Sequence, residues 1–144
     1  MPLRAMPLLP AALLIFALAS VLWFALDFAV TMQLISDGSM RDQAHITFGY
    51  IAAAVAAATV VGWLWALLAS ARSGSPVNGA VQIMCGATAV ALLATALATE
   101  VLIGGRFWDE PTAYLIGHAA IAVLLEVQVD RSRKRSAPNT LPKP

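Results

Sequence analysis

The sequence predicts an all-α membrane protein, a four-transmembrane-helix bundle with short loops. Of its 144 residues, 60% are hydrophobic and only 12% are charged. In a typical soluble domain about a quarter of the residues are charged. The charges fall in short clusters that separate four apolar segments. Each segment has about 18 to 28 residues, enough to cross a hydrocarbon core about 30 Å thick.

The first two apolar segments predict helices at about residues 8–35 and 45–70. The stretch 17–19 resembles the cleavage site of a secretory signal, but the apolar run continues beyond it, so we predict an uncleaved first helix. Residues 36–43 form a polar turn centred on Gly38. Trp63 and Trp65, near the end of the second helix, suit a membrane interface.

The third apolar segment predicts a helix at about residues 80–103, after a loop rich in Gly, Ser and Pro at 71–79. Both middle helices carry rows of small residues at a spacing of four. These rows are Gly49, Ala53 and Ala57 in the second helix and Ala87, Ala91, Thr95 and Thr99 in the third. Because small residues let helix backbones approach closely in lipid, we expect these two helices to form a tightly packed pair.

The last apolar segment predicts a helix at about residues 111–129, with Pro111 in its first turn. A basic run follows it, and we interpret this run as an anchor in the lipid headgroup layer: Arg131, Arg133, Lys134 and Arg135. Residues 1–135 then form the transmembrane domain. Residues 136–144, with three prolines and little to bury, form a disordered cytoplasmic tail.

The distribution of Lys and Arg predicts the orientation. With four crossings, one side holds seven of the nine: Arg4, Arg72, Arg131, Arg133, Lys134, Arg135 and Lys143. The other side holds Arg41 and Arg106. We therefore predict a multi-pass plasma-membrane protein with both termini in the cytoplasm, and the alanine-rich helices and short loops favour a bacterial inner membrane.

Ionisable and polar groups inside the spans are the candidate site, because a charge at a helix centre costs about 2.5 to 3.5 kcal/mol to insert. They are Asp27, His118, Glu100 and Tyr114. Asp27 and His118 lie at a similar depth, roughly 10 Å from the outer surface. We expect them to pair across the first and last helices, either as a structural lock or as a proton-coupled site, and their replacements to show coupled losses of stability.

Two further residues are weaker candidates. His45 lies at the outer mouth of the second helix, where it is a solvated boundary residue. Glu126 lies close to the cytoplasmic end of the last helix, where water, Arg133 or the loop that carries Arg72 would satisfy it. Glu100 is similarly close to the outer end of the third helix, within reach of water or Arg106.

No metal or cofactor is predicted. The two histidines differ in depth, which disfavours a bis-histidine haem, and His45, His118, Asp27 and Glu100 lack the spacing of a known metal motif. Cys85 is the single cysteine of the chain, and a small residue in a helix interface is its expected role.

The sequence favours a non-enzymatic accessory or interaction subunit of a membrane, since it has no nucleophile motif or phosphate-binding loop. Its predicted partners are the lipid bilayer and either a second copy or another membrane protein. The net charge of +1 gives no reason to expect nucleic acid. The alternative is a small oligomeric proton- or ion-coupled transporter that uses Asp27 and His118. A third hypothesis is a redox or enzyme subunit with a bound cofactor.

Overall fold

The computed structural model describes residues 8–40, 42–103 and 110–137, and of residues 99–103 and 110–113 it describes the backbone only. Four helices account for nearly all of them, and no strand occurs among the described residues. The helices are α1 (Leu8–Ser36), α2 (Gln43–Ser73), α3 (Gly79–Ile103) and α4 (Glu110–Ser136). The predicted all-α class is confirmed, and seven of the eight helix ends lie within one turn of their predicted positions.

Three of these helices are long and apolar enough to cross a membrane, over Leu8–Ser36, Gln43–Ser73 and Gly79–Ala98. Within the described residues, α4 is not shown as such a span. Large apolar side chains nevertheless lie on the outside of all four helices, among them Leu22, Val61, Val90 and Leu124. An outer surface of this kind is typical of a protein that is solvated by lipid.

The connection between α1 and α2 is a tight turn at Gly38, as predicted. Gly38 adopts a φ of 73°, a left-handed conformation that glycine reaches without steric cost. The Asp37 carboxylate accepts hydrogen bonds from the Ser39 hydroxyl at 2.5 Å and from the Ser39 backbone N–H at 3.0 Å. These two bonds, the hydroxyl first, hold the pKa of Asp37 below its ordinary value.

The connection between α2 and α3 is held by side-chain hydrogen bonds. α2 ends at Ser73 and is followed by Gly74, which has a φ of 66° and so supplies the left-handed residue common just after helix C-termini. At the start of α3 the Asn78 side-chain oxygen accepts a hydrogen bond from the Val81 N–H at 2.9 Å. The Asn78 amide donates in turn to the Ser70 hydroxyl at 2.9 Å. Asn78 therefore ties the end of α2 to the beginning of α3.

Helix packing differs from the predicted pairing of α2 with α3. The pairs α1 with α2 and α3 with α4 approach each other over more of their lengths than α2 and α3 do. A Cβ at Gly49 would lie 3.0 Å from the Met40 sulfur and 3.2 Å from the Ile35 Cδ1. This small position of α2 therefore accommodates the end of α1 and the turn after it. The small-residue row was correctly predicted as a site of close approach, but at this position its neighbour is α1 instead of α3.

One apolar core cluster contains residues from all four helices. Its buried members are Leu13, Phe16, Ala17, Trp63, Ala66, Val81, Met84, Cys85, Ala89, Ala122 and Val129. The side chain of Trp63 is 0% exposed. Its indole N–H donates to the Thr88 hydroxyl of α3 at 2.8 Å, and its ring meets Phe16 of α1 edge to face at 5.8 Å.

The predicted interface role of Trp63 is wrong, because its one polar atom has a partner inside the protein and the ring can be fully buried. Trp65, two residues later, points outward and is 53% exposed. Proximity to a helix end therefore did not distinguish the two tryptophans.

α4 continues seven residues past its predicted end at residue 129 and includes the basic run. The Lys134 ammonium lies 2.7 Å from the Asp130 carboxylate one turn earlier, a pairing that favours helix. Cations in the last turn also interact favourably with the helix dipole. A run of charged residues ends a membrane-spanning segment, but it does not end a helix. The helix therefore extends beyond the end that was predicted from hydropathy.

Candidate functional site

Three aromatic rings, those of Trp23 in α1 and of Tyr114 and His118 in α4, contact one another and form what we call the aromatic cluster. The Tyr114 and His118 rings of α4 have centroids 4.5 Å apart. Trp23 of α1 lies 5.4 Å from Tyr114 and 6.5 Å from His118, and it is stacked on the imidazole with 22° between the planes. Tyr114 and His118 thus share one face of α4, as their spacing predicted, and that face contacts α1.

Asp27 lies one turn after Trp23 and is half-buried. Together with Trp23, Leu26 and Val30 it lines a pocket of about 250 Å³. Within the part of the chain that the structure describes, its carboxylate makes no hydrogen bond and no ion pair. Asp27 is therefore an available acceptor beside an aromatic ring.

The predicted direct pair of Asp27 and His118 is not formed. No ion pair joins them, and His118 contacts Trp23 instead. The two helices do meet at the expected level, because Trp23 and Asp27 are one turn apart, about 6 Å along the axis. His118 therefore lies within about one turn of the level of Asp27 along α1, while the rotation of α1 presents the indole to His118 in place of the carboxylate.

Glu126 contacts α3 and not the cations proposed for it. A Cβ at Gly86 would lie 3.2 Å from a Glu126 carboxylate oxygen, so the glycine leaves the room that this carboxylate occupies. Arg133 donates to Gln82 of α3 at 2.6 Å. The side chain of Glu100 lies outside those described, as does Arg106, and that prediction remains open.

His45 is exposed at the start of α2, and its Nδ1 lies 3.4 Å from the Asp42 carboxylate. This placement agrees with a solvated boundary residue. It also separates His45 from the aromatic cluster, since His45 belongs to the first turn of α2 and makes its contact with the preceding turn of chain.

The four residues of the basic anchor have different surroundings. Arg133 bonds to Gln82, Lys134 pairs with Asp130, and Arg131 and Arg135 are exposed. The pKa of Asp130, which lies beyond the predicted span, is held below its ordinary value mainly because Lys134 donates a hydrogen bond to it. The Gln82 side chain, which accepts the bond from Arg133, also contributes to the lowered pKa of Asp130.

Gln82 and Thr88 were not singled out from the sequence. Each is a polar residue with apolar neighbours on both sides within the third helix, and that local isolation was the available signal. In the structure each satisfies one polar group on a neighbouring helix, Arg133 on α4 and Trp63 on α2. Polar residues of this kind are expected at helix–helix contacts in lipid.

Among the described residues, no three His, Cys, Asp or Glu side chains come together in a way that could hold a metal ion. Cys85 is a free thiol, fully buried in the core cluster. Comparison of the chain with protein-family models, curated proteins and solved structures finds no match.

Proposed function

We propose that the chain is an integral membrane protein that crosses the membrane four times. In this proposal both termini lie in the cytoplasm, and the membrane is the plasma membrane, of the kind that forms the inner membrane of bacteria. The protein acts as a non-enzymatic accessory or interaction subunit. The observation that supports the fourth crossing is the register of α4 along α3.

That register is antiparallel. A Cβ at Gly79 would lie 3.6 Å from the Arg133 guanidinium, and a Cβ at Gly86 would lie 3.2 Å from a Glu126 carboxylate oxygen. The second contact is seven residues later in α3 and seven residues earlier in α4. Continued at the same spacing, this register puts Tyr114 opposite Ala98, which lies towards the C-terminal end of α3. A helix packed beside a spanning helix over its full length shares its depth, so α4 would cross as well.

The outer surface supports a role in interaction. Exposed large apolar side chains occur on every helix, and such a surface accepts lipid tails or the helices of another membrane protein equally well. The partners we propose are therefore the bilayer together with a second copy or a different membrane protein. The shared apolar core gives the helices a fixed arrangement against which a partner could dock.

The topology can be tested by single-cysteine labelling, because the native Cys85 is buried and should not react. We expect a membrane-impermeant maleimide to label Ser39→Cys on intact cells. Ala71→Cys and Ala137→Cys should be labelled only after permeabilisation. Labelling of Ala137→Cys on intact cells, with Ala71→Cys still protected, would show that α4 does not cross.

A small oligomeric ion-coupled transporter is the second candidate function, and the unpartnered Asp27 favours it. A carboxylate next to an indole suits a cation, since the carboxylate supplies charge and the ring face supplies a cation–π contact. His118, stacked on the same indole, supplies an imidazole whose two ring nitrogens can donate or accept a hydrogen bond beside the cation site. This arrangement could couple cation binding to a proton.

Binding of tetraethylammonium by the purified protein in lipid discs tests this second function. If the site works as a carrier, Asp27→Asn should weaken binding by about tenfold or more, the loss expected for one ionic contact. The exposed loop variant Asp37→Asn should bind as the native chain does. Absence of Asp27-dependent binding, together with co-extraction of another membrane protein in a fixed ratio, would favour the subunit.

A further inference from the structure

A polar pocket lies at the end of the protein that carries the basic anchor, far from the aromatic cluster. It has a volume of about 490 Å³ and lies between the α2–α3 connection and the last turns of α4. Its lining residues are Ser75, Val77, Ser132, Arg133, Ser136 and Ala137. Three hydroxyls and one guanidinium thus surround a space large enough for a small anionic group.

Arg133 is held in place beside this pocket. One of its terminal nitrogens donates to the Gln82 side-chain oxygen at 2.6 Å, and the guanidinium lies against Gly79. A guanidinium has five N–H donors, and among the described residues this bond to Gln82 is the single hydrogen bond that the Arg133 side chain donates. Donors therefore remain for a ligand, with the orientation of the group already fixed.

The serine hydroxyls differ in their availability. Ser136 donates its proton to the Ser132 carbonyl at 3.0 Å. Ser75 accepts a hydrogen bond from the Val77 N–H at 3.2 Å, which leaves its hydroxyl proton available. Within the described part of the chain the Ser132 hydroxyl makes no hydrogen bond. Ser75 and Ser132 can therefore both donate to an anion in the pocket.

The surrounding charges make the pocket electropositive. Arg131 and Arg135 are exposed on the same turns of α4, and α3 begins beside Arg133 with the positive end of its dipole. The acidic group nearby is Asp130, which Lys134 and Gln82 already engage. The net field at the pocket therefore favours a negatively charged ligand.

We propose that this pocket binds the phosphate of an anionic lipid headgroup, with the guanidinium of Arg133 as its main ligand and the Ser75 and Ser132 hydroxyls as further donors. A planar guanidinium matches the geometry of phosphate oxygens. The inference rests on the proposed topology, in which this end of α4 lies at the cytoplasmic surface, where anionic lipids concentrate. It assigns to one arginine a role that the other cations of the anchor do not share.

Lipid retention, measured by native mass spectrometry of the full chain, tests the proposal. The probes are phosphatidylglycerol, diacylglycerol, which has no phosphate, and inorganic phosphate. We expect one phosphatidylglycerol to be retained, with an apparent affinity well above that for diacylglycerol.

Arg133→Gln should lower the affinity for phosphatidylglycerol about tenfold, the effect of losing one charge-assisted hydrogen bond. Arg135→Gln removes the same charge outside the pocket and should lower it no more than about threefold.

Ser132→Ala provides a second variant that leaves the Arg133 bond to Gln82 intact, in case Arg133→Gln does not fold. It should lower the affinity for phosphatidylglycerol about threefold, the effect of one neutral hydrogen bond.

Equal losses of affinity in Arg133→Gln and Arg135→Gln, or no loss in Ser132→Ala, would overturn the proposed binding site in favour of diffuse attraction to the charged surface. Displacement of the lipid by equimolar inorganic phosphate would overturn the lipid as the source of the phosphate. The cysteine labelling above reports separately on topology, so the two failures can be told apart.

Discussion

Replacement of Trp63 by alanine is expected to lower the free energy of unfolding by about 3–5 kcal/mol, the range for removing a large aromatic side chain from a packed core. The whole indole is buried, so the substitution leaves a cavity between α1, α2 and α3. It also removes the hydrogen bond to Thr88 and the edge-to-face contact with Phe16. Reversible denaturation in mixed micelles, followed by the loss of helical circular dichroism, measures the change.

Trp65→Ala is the matched control for this prediction. It removes the same atoms two residues along the same helix, but from a ring that points outward. We expect it to cost less than about 1 kcal/mol, because lipid or detergent replaces the contacts that the ring loses. Similar losses for the two variants would contradict the central position that the structure gives to Trp63.

Enlargement of Ala122 to leucine should separate α4 from its neighbours. Ala122 is 0% exposed and belongs to the core cluster with Cys85, Ala89 and Val129. Three added carbon atoms have no space there, and overpacking of this kind costs about 1–3 kcal/mol, occasionally more. We expect a lower midpoint of denaturation, and increased reactivity of Cys85 toward a membrane-permeant maleimide.

Ala120→Leu adds the same atoms to an exposed face of α4 and should leave both the midpoint and the reactivity of Cys85 nearly unchanged. A stable Ala122→Leu protein with a protected Cys85 would mean that α4 packs less closely on the core than the structure shows.

The helices themselves could be predicted because the signal is local. An apolar run of sufficient length predicts a helix wherever it occurs, and Gly38 and the Gly-Ser-Pro loop marked two of the turns. The end of α4 was misplaced because hydropathy was used to end a helix. Asp130 and Lys134 sustain the helix by pairing one turn apart, a feature that a search for membrane spans does not weigh.

The choice of packing partners could not be predicted in the same way. A small residue such as Gly49 indicates that something approaches closely, but not which helix does so. Here the approaching groups are Ile35 and Met40, which come from α1 and the turn after it. Trp63 illustrates the same limit, because its burial depends on Thr88, 25 residues away.

The candidate site was predicted in part. The spacing of four residues between Tyr114 and His118 correctly placed both rings on one face, and the depth of His118 correctly indicated the level on α1. Residue counting cannot give the rotation of α1 about its own axis. That rotation brings Trp23 to His118 and leaves Asp27 facing a pocket.

The pairwise packing of the helices has a consequence for biogenesis. The extensive contact between α1 and α2 does not involve α3, and the contact between α3 and α4 involves neither of the first two helices. In the proposed topology each hairpin would therefore enter the bilayer as a unit during synthesis, the first one while the second is still being made, in line with the tendency of chains to fold from the N-terminal end in cooperative pieces. The contacts between the two hairpins, Trp63 with Thr88 and Trp23 with the rings of α4, would form last, and they are where the two halves would come apart.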